Sequence, residues 1–246
     1  MTMNFAHRGF SAQYPENTML AFRKAVEAGC DGIEMDVRLS LDGAVVISHD
    51  SSLARMAGAE GHVRDYPLAE LKRINFCGSH PECGFTPIAT LEEYFDYIRT
   101  TGVVTNIEIK SNVGNFKAIE DKCIELIRAY QLEEKIIFSS FNHYSMVYCK
   151  FAAPEIKTGL LFGTTYSEEF AKLGFVGYAK LCHADYLHPS YNGMTPEDVA
   201  TVQAAGVGVN VWTVDDAEMM RQYLAVDAHG IISNRPDILR DVIDNK

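Results

Sequence analysis

Eight short apolar runs, each followed by a stretch of helical periodicity, repeat along the chain, and this alternation restricts the fold more than any other feature. The runs are residues 4–7, 32–39, 104–109, 136–139, 157–161, 184–187, 207–212 and 230–233. Several are short and β-branched, as expected of strands buried on both faces. The stretches between them carry readable helix ends. Asn17 precedes a segment with Leu20, Ala21 and Ala25 at helical spacing, which stops at Gly29. Thr90 with Glu93 has the pattern of a capping box, and Thr195-Pro196 opens a helix that ends before Gly206. Eight such units with no break in composition predict an α/β fold, a single TIM (β/α)8 barrel over residues 1–246. An open, doubly wound sheet is the alternative. One segment departs from the rhythm. After an extra apolar run, "VVISHD", residues 51–88 pass before the next clear helix, which is too long for a plain connection and predicts a small insertion or lid after the second strand.

In a β/α barrel the reactive groups sit at the carboxyl ends of the strands. His7 and Arg8 close the first run. Glu34 and Asp36 lie two apart on the second and so share a face. His49 and Asp50 follow the extra run, and Glu108 and Lys110, again two apart, close the third of the eight. Three carboxylates aimed at one volume either hold protons or share a cation. An all-oxygen set suits one hard divalent ion, Mg²⁺ or Ca²⁺, with Mn²⁺ also accepted. The competing reading is a set of ordinary ion pairs, such as Glu34 with Arg38. Arg8 offers a planar fork and Lys110 a point charge to an anionic oxygen. His7 and His49 have side chains that titrate near neutrality, so one can accept a proton and the other donate one. His188, before Pro189, is a weaker candidate.

Composition limits the partners. The formal net charge of −11 repels nucleic acid and anionic lipid surfaces, so attraction for an anion must be local. The start "MTMNFAHRGF" lacks the pattern of a signal peptide, and no apolar run approaches the roughly 18 residues of a membrane span. The expectation is a cytoplasmic protein, with no membrane insertion and with its six cysteines reduced. Cys77, His80 and Cys83 offer three ligand types at loose spacing and read as a plain loop. Nothing in the sequence signals an oligomeric state.

Taken in order, "HRG" at His7, "PENT" at Pro15 to Thr18, "IEMDV" around Glu34 and Asp36, and "SHD" at Ser48 to Asp50 resemble the glycerophosphodiester phosphodiesterase family. "NIEIK" ending at Lys110, "SSF" ending at Phe141, "VWTV" around Trp212 and "GIISNRP" extend the resemblance over nearly the whole chain. It implies a TIM barrel that hydrolyses glycerophosphodiesters such as glycerophosphocholine and glycerophosphoethanolamine to glycerol 3-phosphate and an alcohol. It further implies Glu34, Asp36 and Glu108 as metal ligands, His7 and His49 as the acid–base pair, and Arg8 and Lys110 as phosphate contacts. Glu16 then stands near the metal or the glycerol hydroxyls. Phe141 and Trp212, near strand ends, are candidates for an apolar wall against the glycerol or alcohol group, with core packing as the equal alternative. One departure stands out. The family usually reads Thr-Asp-x-Pro near the carboxyl end, where this chain has Ser233-Asn234-Arg235-Pro236. Two other functions share such a barrel: a cyclic-phosphate-forming, phospholipase D-like enzyme, and a non-catalytic glycerophosphodiester binder.

Overall fold

The computed structural model describes residues 1–78, 80–111 and 117–245. Eight strands close a parallel barrel in the order β1 (Met3–His7), β2 (Gly32–Leu39), β5 (Val104–Ile109), β6 (Ile136–Ser140), β7 (Lys157–Phe162), β8 (Tyr186–Pro189), β9 (Gly208–Val211) and β10 (Gly230–Ser233), which returns to β1. Helices α1 (Met19–Glu27), α4 (Leu91–Ile98), α5 (Ala118–Tyr130), α6 (His143–Ala152), α7 (Glu168–Leu181), α8 (Pro196–Ala204), α9 (Ala217–Ala225) and α10 (Pro236–Asp244) follow these strands in turn. The main core lies between strands and helices, where Ile33, Met35, Val37, Ile107, Ile109, Phe138 and Leu160 meet Phe22, Tyr94, Phe95 and Ile127. Inside the barrel, Phe5, Ile137 and Ile232 form a smaller apolar floor.

Strand register decides what meets at the open end. His7 lies beside Glu34, Glu34 beside Asn106, and Asp36 beside Glu108. Because side chains alternate along a strand, these residues point into the barrel at neighbouring levels. The β8 strand runs two residues later than the apolar pattern suggests. Asp185 is drawn out of it, since its carboxylate accepts from the Thr158 backbone N–H at 2.9 Å and pairs with Lys150 at 2.8 Å. Pro189 instead ends the strand.

Residues 51–88, of which position 79 lies outside the described residues, leave and rejoin the barrel through a small antiparallel extension. There β3 (Val45–Ile47) pairs with β2, and β4 (Ala89–Thr90) pairs with β3. Between them lie two single-turn helices, α2 (Ala54–Ala57) and α3 (Leu68–Leu71). Leu53, Met56, Val63, Leu71, Phe76 and Ile88 pack on Val46 as a core separate from that of the barrel. Phe76 is buried there, whereas Phe85 is exposed. All six cysteines are free thiols. Among the described residues no helix is long and apolar enough to cross a membrane.

Candidate active site at the mouth of the barrel

Each residue of "PENT" has a separate task. The Thr18 hydroxyl caps α1 by accepting from the Ala21 N–H and donates to the Pro15 carbonyl oxygen. Asn17, expected at the start of that helix, sits at φ +58° and turns its amide into the barrel, where Nδ2 donates to Asp36 Oδ2 at 2.8 Å. Glu16 accepts from Arg8 Nη1 at 2.9 Å. The "HRG" turn brings Arg8 into reach. Arg8 and Gly9 both have positive φ, and a Cβ at Gly9 would lie 2.7 Å from the Ala21 backbone, so the third residue must be glycine. The Arg8 N–H then donates to Glu34 Oε2 at 3.0 Å, and its Nε lies 3.5 Å from Asp36.

Glu34, Asp36 and Glu108 are buried, with one oxygen from each within 4.8 Å of the others. They are the one such cluster of His, Cys, Asp or Glu among the described residues. Burial, followed by repulsion from Asp36 and Glu108, pushes the Glu34 carboxyl well above its ordinary value. Glu108 is pushed up to about 7 by burial and by Asp36. Burial also works to raise Asp36, but Lys110 and Arg8 outweigh it and hold Asp36 below the usual carboxylate range. Lys110 Nζ lies 2.9 Å from Asp36 Oδ1 and hydrogen-bonds Glu108. Asn106, on the same strand face as Glu108 and lining the same cavity, has both amide atoms buried without a hydrogen-bond partner. Three converging buried carboxylates, two of them strained by like charge, are the donor set a hard divalent cation fits. Arg38 is not a partner of Glu34. It donates to the His49 carbonyl oxygen at 2.6 and 3.0 Å and fixes the backbone there.

The two histidines have different partners. His7 Nδ1 donates to Asn234 Oδ1 at 2.7 Å, and its Nε2 lies 3.8 Å from Glu34. Burial and then the Arg8 charge lower His7 to about 4. His49 Nδ1 donates to the Asp50 carboxylate at 2.7 Å. Arg55 from the insertion holds Asp50 through Nε at 2.7 Å and Glu16 through Nη2 at 2.7 Å. The insertion is thereby tied both to the His49 side of the site and, through Glu16, to Arg8.

A cavity of about 160 Å³ is lined by His7, Arg8, Glu34, His49, Glu108 and Lys110 on its charged side. Phe141, Leu161 and Trp212 form its apolar side. The Phe141 and Trp212 rings meet edge to face at 5.7 Å, and Trp212 Nε1 donates to the His188 carbonyl oxygen at 2.8 Å. His188 itself is buried in the barrel interior beside Asn210, away from the mouth. A larger groove of about 510 Å³ lies on the outer layer between α9 and α10, away from these groups. Asn106 follows from the same two-residue spacing as Glu108 and Lys110 and was there to be read. Arg55 and Asp215, which anchors Asn234, gave no local signal, because the contacts of Arg55 with Glu16 and of Asp215 with Asn234 span 39 and 19 residues.

The Glycerophosphoryl diester phosphodiesterase family matches residues 7–238. A glycerophosphodiester phosphodiesterase of Caldanaerobacter subterraneus subsp. tengcongensis is 38% identical over 98% of both chains. One of Bacillus altitudinis is 34% identical over 96% of both. Among solved structures, a phosphodiesterase of Oleispira antarctica in complex with the product sn-glycerol-3-phosphate has a TM-score of 0.87 at 29% identity, covering 98% of this chain and 96% of that one. With a closed barrel, a buried acidic triad and relatives matched end to end, the chain belongs to the glycerophosphoryl diester phosphodiesterase family.

Proposed function

We propose that the protein hydrolyses glycerophosphodiesters such as glycerophosphocholine and glycerophosphoethanolamine to sn-glycerol 3-phosphate and the free alcohol, using one divalent cation and two histidines. The observation that carries this reading is the cavity that His7, His49, Arg8 and Lys110 line together with Glu34 and Glu108, the two carboxylates that cluster with the buried Asp36. The product bound by the Oleispira antarctica neighbour supports the glycerol phosphate half of the substrate.

Glu34, Asp36 and Glu108 would hold a Mg²⁺, Ca²⁺ or Mn²⁺ ion, which when bound would supply Lewis-acid polarisation of the phosphoryl group. Arg8 and Lys110 hold the non-bridging oxygens and offset the charge that grows on them. His7 is the base. Asn234 takes its Nδ1–H, which leaves the Nε2 lone pair to accept a proton from the nucleophile, either water or the neighbouring glycerol hydroxyl. His49 is the acid. Burial lowers its pKa below the ordinary value, and the Asp50 carboxylate that its Nδ1–H faces opposes this, so that the ring once protonated can give Nε2–H to the departing alkoxide as the P–O bond breaks. Attack by the glycerol hydroxyl gives a cyclic phosphate that water then opens. The free thiols are in keeping with a cytoplasmic setting.

Release of sn-glycerol 3-phosphate from both compounds, with added cation and with EDTA, tests the reading. Cation-dependent release supports it. Folded, cation-loaded protein that binds the diesters and releases nothing would make the barrel a binder instead.

Residues 51–88 act in this reading as a cover that ranks the alcohols, since the segment is joined to the site at Arg55. Replacing 56–87 by a short linker that keeps Arg55 should change the ratio of kcat/KM between the choline and ethanolamine diesters more than cation affinity. An unchanged ratio in a folded variant removes the idea.

A further inference from the structure

The departure at Asn234 leads to a second residue. Asn234 follows β10 and meets Asp215 from the loop after β9 by two hydrogen bonds. Its backbone N–H donates to Asp215 Oδ1 at 2.8 Å, and its Nδ2 donates to Asp215 Oδ2 at 2.7 Å. The Ser233 hydroxyl also donates to Asp215 Oδ1, at 2.9 Å. On its other side, Asn234 Oδ1 accepts from His7 Nδ1 at 2.7 Å and has the Ser11 hydroxyl 2.8 Å away. An amide has one end that only accepts and one that only donates, whereas a carboxylate only accepts. Asp215 therefore admits one orientation of the Asn234 side chain, with nitrogen toward itself and oxygen toward His7. That oxygen in turn admits one neutral tautomer of His7, protonated at Nδ1 with Nε2 unprotonated.

We propose that Asp215 is a positioning residue for His7, and that Asp215 and Asn234 form one unit in which the carboxylate sits at the outer position and the amide relays its polarity to the imidazole. The carboxylate that the family motif usually has at the position of Asn234 is matched here by one a side chain further out, at Asp215. The proposal rests on His7 being the base, but the tautomer it predicts is observable without turnover.

The exchange of the two side chains tests it. In Asp215→Asn, the backbone N–H of Asn234 and the Ser233 hydroxyl keep the remaining oxygen of residue 215 in place. A new amide nitrogen then faces Nδ2 of Asn234, donor against donor. The Asn234 amide turns over, its nitrogen faces His7, and the ring moves its proton from Nδ1 to Nε2. The ¹⁵N shifts of the His7 imidazole report this inversion in the resting protein. Turnover should fall on the order of 10²-fold at nearly unchanged KM, because the lone pair needed at Nε2 is gone. Asn234→Asp alone places two carboxylates against each other and should also lose activity. Asp215→Asn with Asn234→Asp restores donor against acceptor at both contacts, and should return the Nδ1–H tautomer and kcat to within about threefold of the parent. If Asp215→Asn is folded and keeps the Nδ1–H tautomer, or if the double exchange is no better than Asn234→Asp, Asp215 does not position His7. If the tautomer inverts as predicted but kcat is unchanged, the positioning stands and His7 is not the base.

Discussion

If His49 is the acid, His49→Ala should lower kcat on the order of 10²–10⁴-fold while the protein stays folded. The ring is about one-third exposed and packs into no core, and the backbone at residue 49 is held from the carbonyl side by Arg38, which the substitution leaves alone. In the proposed site Arg8, Lys110 and the cation would still hold the phosphate, so KM should change little. The size of the loss depends on the leaving group. An alkoxide such as that of choline departs poorly without a proton, whereas a nitrophenolate departs readily. The variant should therefore lose far less activity on a p-nitrophenyl phosphodiester than on glycerophosphocholine, and His7→Ala should lose comparable amounts on both. Equal losses for His49→Ala on the two substrates would take the acid role away from it. Steady-state rates on both diesters, with a melting curve for each variant, decide the matter.

Stripping the divalent cation should abolish turnover and lower the melting temperature together. Ligand at about 100 times its Kd stabilises a folded protein by about 2.7 kcal/mol, which for a chain of this length is roughly 5–10 °C. The same carboxylates predict how binding responds to pH. In the cation-free protein Glu34 and Glu108 lie above their ordinary values, Glu108 at about 7, so as pH falls through 7 the cluster takes up protons that an incoming cation must displace. Affinity should then weaken as pH falls through 7, by about tenfold per pH unit for each proton displaced. Calorimetric titrations in two buffers of different ionisation enthalpy count those protons. Glu34→Gln removes one ligand and one of these protons, and should weaken binding by at least tenfold. Affinity that is flat from pH 6 to 8 would place the cation elsewhere.

Much of this site was legible because the barrel converts spacing along a strand into direction. Glu34 with Asp36, and Glu108 with Lys110, could be assigned to one volume from two-residue intervals at strand ends, and the register of β2 against β5 puts Asp36 beside Glu108. His7, Arg8 and His49 followed from their places after apolar runs. What strand periodicity could not supply was the set of contacts made across the mouth by loops. Asn17 looks like part of a helix start, and only the positive φ at that position swings its amide onto Asp36. Arg55 lies in a segment without strong periodicity, yet it joins Glu16 and Asp50, 39 and 5 residues away. The motif shows Asn234 as a lost charge, whereas the fold sets the Asp215 carboxylate from the loop after β9 against its amide. For Phe141 and Trp212 the sequence leaves both core and cavity open, because an aromatic residue at a strand end satisfies both patterns. In the fold they line the cavity, with Phe141 53% exposed.

The insertion has its own core, and His49 stands where that small core meets the barrel. Two cores joined by a short antiparallel extension need not come apart together. Amide hydrogens of residues 51–88 should exchange through openings smaller than global unfolding, while β2 and β5 exchange only with the whole barrel. Leu53→Ala, which hollows out the small core, should widen that gap and inactivate the enzyme on warming before the barrel melts. Uniform exchange across both regions would mean a single cooperative unit. The working temperature range of the catalyst is on this account set by its smaller core, and adaptation to heat or cold could proceed there without repacking the barrel.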